Sequence, residues 1–340
     1  MKKLFSLISA LAVVAGSAFA GPVDVNKAQN VGQRFVSSNF AQTRQSSELS
    51  LVYTASSNRG DACFYVFNVG NEGFVIVSGD DAFRPIIGYS DEGAFDAQNI
   101  NPNLAYKLDE LVAARNNVVA SATPQIEQEW KMVEEQGRLM SKNGGRGVDK
   151  LVQTKWNQDA PYNFYAPAAP GGPGGRAYAG CCATAMSQVM KFWDHPVQGT
   201  GSHSYNWHGQ TLSANFGATT YDWANMPEQL SNSSSQEQIE AVAMLMYHCG
   251  VAVNMDFAAD GSGAFSQDVP GAISNYFGYA GAATVRSRDS YSYEVWADML
   301  KESFDMGWPL YYHGQGPDGG HAFVCDGYND NDLFHFNFGW

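Results

Sequence analysis

A chain of 340 residues with 44% hydrophobic and 13% aromatic side chains can bury one large or two medium cores, which excludes a disordered or fibrous protein. The formal net charge of −14 excludes a basic nucleic-acid footprint and speaks mostly to solubility. Most of that charge falls late: from Asp149 onward there are 7 Lys/Arg against 19 Asp/Glu.

The first element is a leader. Lys2 and Lys3 precede the apolar run Leu4–Val14, and the small-residue site Ser17-Ala18-Phe19-Ala20 follows. This pattern predicts a secretory signal over residues 1–20, cleaved after Ala20, and hence an exported protein. The run is too short to span a bilayer, so no membrane partner is expected. Residues 21–147 contain no histidine, whereas all seven histidines lie beyond residue 190. In this first half "ACFYVFNV", "GFVIVSG" and "PIIGYS" predict strands, and residues 101–122 predict a helix bearing Leu104, Leu108, Leu111 and Val112. The glycine-rich stretch "KNGGRGVDK" at 142–150 predicts a linker between this small α+β unit and the rest.

The second half opens with "KWNQDAPYN" and a Pro/Gly loop that lacks the G-K-[ST] of a phosphate loop. "CCATAMSQVMKFW" predicts a helix from Cys181. Ser234 and Glu237 predict a capping box for a helix carrying Ile239, Val242, Leu245, Met246 and Cys249, stopped by Gly250. A last helix is predicted over about Tyr293–Met306, ending at Gly307. "PLYYH", "HAFVCDGY" and "LFHFNFGW" predict strands, so helices precede strands in this half.

Five cysteines are an odd and sparse set for an exported disulfide scaffold, which points to at least one free thiol. There is no C-x-x-C pair, and His195, His203 and His208 lie in a loop without ligand spacing, so no metal is expected. Along the cysteine helix, Cys182, Met186, Val189, Met190 and Trp193 form an apolar stripe that faces a core. Cys181 shares its side with Thr184, Ala185 and Gln188, small or polar residues that leave the thiol free to face a cleft. Gly180 allows close backbone approach, and the helix N-terminus favours thiolate over thiol. Cys181 is therefore the expected nucleophile. Its base must come from afar in sequence, and His321 opens a strand after Gly319-Gly320, 140 residues on, in papain-type order and spacing. A thiolate–imidazolium pair is the expectation, the cysteine titrating below its usual value of about 8.5 and the histidine above about 6.5.

"GCCATAMSQVMKFWDHP", "GGHAFVCDGYND", "HFNFGW" and the upstream "KWNQDAPYN" resemble the streptopain family of bacterial cysteine peptidases, over nearly the whole chain. That resemblance implies an α+β, papain-like fold, a helical part plus an antiparallel β part, over residues 148–340, with an inhibitory pro-domain over 21–147. It implies Cys181 as nucleophile, His321 as general base, Gln158 as an oxyanion-hole donor, and Asn337 and Trp340 as the segment that orients and shields the imidazole. No cofactor is implied, and the partners are protein or peptide substrates and the pro-domain itself. The position after the family's nucleophile usually holds a hydrophobe such as valine, and Cys182 stands there. A four-residue "NDND" turn would set Trp340 opposite His321, and a three-residue loop would bring Asn337 to that face instead. The family continues past "GW", so a chain ending at Trp340 is expected to be truncated. The function implied is a secreted endopeptidase made as a zymogen. An acyltransferase or amidase with the same Cys–His pair, or an inactive binding protein on the same fold, are the alternatives.

Overall fold

The computed structural model describes residues 21–40, 48–100, 102–117, 122–140, 147–281, 283–316 and 319–340. The leader expected over 1–20 and the 142–146 part of the linker lie outside these residues. Two compact units are formed, one within Met1–Ile100 and Lys107–Met140, the other within Asn101–Tyr106 and Ser141–Trp340.

In the first unit, α1 (Val25–Asn39) starts where the Asp24 carboxylate accepts the N–H groups of Asn26 and Lys27. Its buried face, Ala28, Val31, Gly32, Phe35 and Val36, recurs at helical spacing. Gly32 lies so close to the sheet that a Cβ there would meet Leu49 Cδ1 at 3.1 Å and Val77 Cγ2 at 3.2 Å. Strands β1 (Leu49–Ser56), β2 (Ala62–Val69), β3 (Phe74–Ser78) and β4 (Ile86–Ser90) pair antiparallel in chain order. The last three are the strands expected from sequence; α1 and β1 add to them. Helices α2 (Pro102–Asn117) and α3 (Pro124–Gln136) follow, α3 capped by Thr123 and ended by left-handed Gly137.

An ion pair ties α3 to the segment between β3 and β4. Glu129 of α3 is buried, and the Arg84 guanidinium grips both its oxygens, Nε at 3.0 and 3.1 Å and Nη2 at 2.6 Å. Arg84→Ala strands a buried carboxylate and is expected to lower the stability of this unit by about 3–5 kcal/mol. Urea unfolding followed by far-UV circular dichroism checks this, and an unchanged midpoint would contradict it.

In the second unit, α4 (Cys181–Trp193) is nearly all buried and packs on a second helix and on a sheet. A hairpin follows, β5 (His203–Trp207) and β6 (Gln210–Ala214), so strands also occur among the helices of this half, contrary to the sequence expectation. Its two-residue turn, His208-Gly209, has both φ values positive (47° and 82°), as such turns require. Then come α5 (Gln236–Ala252), α6 (Val269–Phe277) and α7 (Tyr293–Asp305). The antiparallel sheet of β7 (Leu310–Gly316), β8 (Gly319–Tyr328) and β9 (Phe334–Asn337) closes the chain, with β8 central.

Two details of α5 correct the sequence expectation. The capping box is Ser235 with Gln238, one residue later than Ser234 with Glu237. The run "SSSQEQ" holds both frames, and the Ser234 hydroxyl is already taken by the Ser231 N–H at 2.9 Å. Nor does Gly250 stop the helix, which continues to Ala252. A Cβ at 250 would come within 2.7 Å of Phe257 Cζ, so this glycine serves close packing.

Candidate active site

Gly180 precedes α4 with φ 90° and caps the helix with no side chain. A Cβ there would lie 2.7 Å from Met255 Cε and 2.8 Å from its Sδ, so space and conformation both demand glycine. Its carbonyl takes the Thr184 N–H and hydroxyl at 3.0 and 3.1 Å, locking the first turn. Cys181 stands next, buried with 8% exposure, and Cys182 is 3% exposed. The face shared with Thr184, Ala185 and Gln188 is therefore not open, as the sequence suggested, because β8 and the segment at 154–156 cover it.

The backbone of Ala322 lies against the Cys181 sulfur, where its N–H, like that of Cys182, favours the thiolate. Ala322 is the second side of the site, for it directly follows His321 on β8. The His321 Nδ1 atom is buried and has no hydrogen-bond partner among the described residues. Other histidines are committed elsewhere: His335 Nδ1 lies 2.6 Å from Asp326 Oδ1, His248 Nδ1 2.9 Å from the Tyr221 hydroxyl, His203 2.7 Å from Asn254 and His208 2.9 Å from Asp256.

Gln158 is buried, and its carbonyl takes the Ala179 N–H at 2.8 Å, which ties it two residues ahead of Cys181. Its side-chain Nε2 donates to the Gly339 carbonyl at 3.4 Å. The hairpin register follows neither loop length weighed from sequence. Tyr328 pairs with Phe334, and an irregularity between Cys325 and Gly327 then shifts the pairing so that Val324 faces Asn337. The ladder ends at that pair, and Gly339 takes a positive φ of 71° before Trp340. Trp340 is 43% exposed and packs edge-on against Tyr178 at 5.9 Å.

Asn337 does something the sequence reading does not foresee. Its Nδ2 donates to the Thr154 carbonyl at 2.6 Å and to Gln188 Oε1 at 3.0 Å, while its Oδ1 accepts the Gly339 N–H at 3.1 Å. Gln188 Oε1 also accepts the Thr154 hydroxyl at 3.0 Å and the Trp156 N–H at 3.2 Å. A buried amide on α4 thus binds the strand end to the segment that carries Gln158. Gln188 lies seven residues after Cys181, on the same helical side, and that spacing is the one trace of it in the sequence.

Burial works against the ion pair expected from sequence. Cys181 is held well above its ordinary value, first by its hydrogen bond to the Cys182 thiol and then by burial. Cys182 is lowered to about 7 by that same bond and by the hydroxyls of Tyr311 and Ser266. Burial opposes them, and the Cys182 thiol lies on the Ala264 carbonyl, to which it donates at 3.4 Å. Burial pushes His321 below its ordinary value. Both directions favour the uncharged forms of the two groups.

This architecture, a helix-borne thiol against an antiparallel sheet bearing an idle imidazole, is that of the papain-like cysteine peptidases. Residues 156–340 match the Peptidase C10 family and residues 20–114 match the Spi protease inhibitor. The chain belongs to the Peptidase C10 family, and its cysteine peptidase is preceded by an inhibitory pro-segment, the layout of a zymogen. It is 32% identical to the thiol protease/hemagglutinin PrtT of Porphyromonas gingivalis over 100% of its own length, spanning 40% of that protein. To streptopain of Streptococcus pyogenes it is 31% identical, over 81% of this chain and 71% of that one. The prointerpain A fragment of Prevotella intermedia superposes with a TM-score of 0.72 at 32% identity, covering 86% of this chain and 88% of that chain. Active interpain A gives 0.54 at 40% identity over 57% and 82%.

Proposed function

We propose that this protein is an exported cysteine endopeptidase in which Cys181 is the nucleophile and His321 its base. The observation that carries this is the Cys181 sulfur against the Ala322 backbone, one residue from a buried, unpartnered imidazole nitrogen. With the pair neutral at rest, His321 takes the thiol proton as sulfur attacks the peptide carbonyl. The resulting imidazolium gives that proton to the leaving amine. A water then attacks the thioester, His321 takes its proton, and the proton passes to the departing Cys181 sulfur. Gln158 Nε2 and the Cys181 N–H at the uncapped helix end are the donors for the oxyanion. Asn337 and Trp340 orient and shield His321 from the strand end: Asn337 pins that end, and Trp340 follows it.

The pro-segment is residues 21–147 and the peptidase 148–340, with the leader at 1–20 carrying the protein out of the cell. Val148 fits this boundary, since its N–H and carbonyl already pair with Tyr328 at 2.8 and 2.9 Å. In the processed protein, iodoacetamide is expected to label Cys181 alone and abolish hydrolysis of internal peptide bonds, and residues 21–147 added in trans are expected to suppress that hydrolysis. Peptide mapping that places the label on another cysteine, with activity lost, would refute the assignment.

A further inference from the structure

In the first unit, the residues just after the leader lie along the turn between β3 and β4. The Val23 N–H donates to the Gly79 carbonyl at 2.9 Å, and the Asp81 N–H donates to the Gly21 carbonyl at 3.2 Å. These two bonds bracket an antiparallel bridge between Pro22 and Asp80. Val23 is buried, and its carbonyl accepts the Tyr65 hydroxyl of β2 at 2.9 Å. In a continued ladder the Gly21 N–H would return to the backbone carbonyl of Asp81. It goes instead to the side chain, with Asp81 Oδ1 at 2.7 Å.

The receiving turn is tied down. The Asp80 carbonyl accepts the Ser78 hydroxyl at 2.8 Å and the Phe83 N–H at 3.3 Å. The carboxylates adjacent in sequence are committed to other groups. Asp80 accepts the Ala82 N–H at 2.8 Å and pairs with Arg115, while Asp24 accepts the first N–H groups of α1. Asp81 alone of the three is turned to the backbone nitrogen of Gly21, which is the residue expected to head the chain once the leader is gone.

We propose that Asp81 is the docking group for the α-ammonium created at Gly21 when the leader is removed, so that the pro-segment gains stability on export. The step is a hydrolysis. Water adds across the Ala20–Gly21 bond, Ala20 departs as a carboxylate, and Gly21 keeps its nitrogen as an ammonium. An α-amino group titrates near about 7.7–8.0, so at neutral pH it is mainly protonated. One neutral N–H on the carboxylate thereby becomes a cation with three, and the bond carries charge on both sides. This inference rests on the leader reading above.

The test uses the full precursor carrying Cys181→Ala, so that self-processing does not intervene. N-terminal sequencing of the exported chain is expected to begin at Gly21. A second chain keeps residues 17–20 ahead of Gly21, which moves the ammonium away and leaves a neutral amide. Each chain is made with Asp81 and with Asp81→Asn, and hydrogen exchange of the amides over 23–31 is read by mass spectrometry. Asp81→Asn is expected to lower protection about three- to fivefold more in the processed chain than in the extended one. Salt at about 1 M is expected to remove most of that difference. An equal loss in the two chains, or an excess that salt leaves untouched, overturns the ion pair while the leader reading stands. An exported chain that begins elsewhere overturns the leader reading and the proposal with it.

Discussion

Cys181→Ala is expected to abolish hydrolysis and to leave a folded, unprocessed precursor, whereas Cys182→Val is expected to retain most activity. The two thiols are adjacent and both buried, so exposure does not separate them; their neighbours do. Cys181 lies beside Ala322 and the imidazole-bearing residue, at the uncapped helix end where N–H groups meet developing negative charge. Cys182 is turned to Ala264 and Ser266, and its thiol fills that contact as a small hydrophobe would. Removing the nucleophile leaves no second route to the thioester, while valine at 182 loses only weak thiol hydrogen bonds, at about 1 kcal/mol each. Peptide hydrolysis and precursor processing of both variants, with folding checked by circular dichroism, decide the matter. Equal loss from both folded proteins would overturn the assignment of roles.

Gln188→Leu carries the largest expected loss of stability in the second unit. Its Oε1 is the acceptor for the Thr154 hydroxyl, the Trp156 N–H and Asn337 Nδ2, all in buried surroundings. Leucine matches the volume and removes the acceptor, leaving two or three donors desolvated at roughly 1–3 kcal/mol each, hence a loss of about 3–5 kcal/mol. Because the same amide ties β9 to the segment bearing Gln158, activity is expected to fall under conditions where the variant is still folded. Gln188→Glu, which keeps the acceptor, is expected to fold better than the leucine variant. Urea midpoints for the three proteins test this, and a leucine variant as stable as wild type would contradict it.

Much of the site was legible in the chain. The stripe from Cys182 to Trp193 marks α4, and "HAFVCDGY" and "LFHFNFGW" mark β8 and β9, because helix and strand periods are local properties of sequence. The face of α1 at 28–36 is written with equal clarity, and so is the hairpin turn at His208-Gly209; the sequence reading passes over both signals. What local pattern does not contain is the environment on the far side of a helix. Thr184, Ala185 and Gln188 look like residues for an open cleft, yet an amide network and β8 cover them. The same burial pushes His321 down and Cys181 up, where sequence rules alone predict an ion pair. Gly250 reads as a helix stop until Phe257 is seen packed against it.

The central claim is that His321 serves Cys181, and the rate of alkylation against pH tests it most directly. In the wild type, His321 loses its proton below its ordinary value because of burial, so the base is ready at mildly acidic pH. Iodoacetamide inactivation is therefore expected to be fast already below about pH 6.5 and to fall only as the imidazole becomes protonated. In His321→Ala nothing accepts the thiol proton, and Cys181, raised by its bond to Cys182 and by burial, must ionise unaided. Its profile is then expected to move into the alkaline range, beyond an ordinary thiol's value of about 8.5. Two overlapping curves would show that the imidazole does not assist the sulfur, and would contradict the pairing on which the account stands.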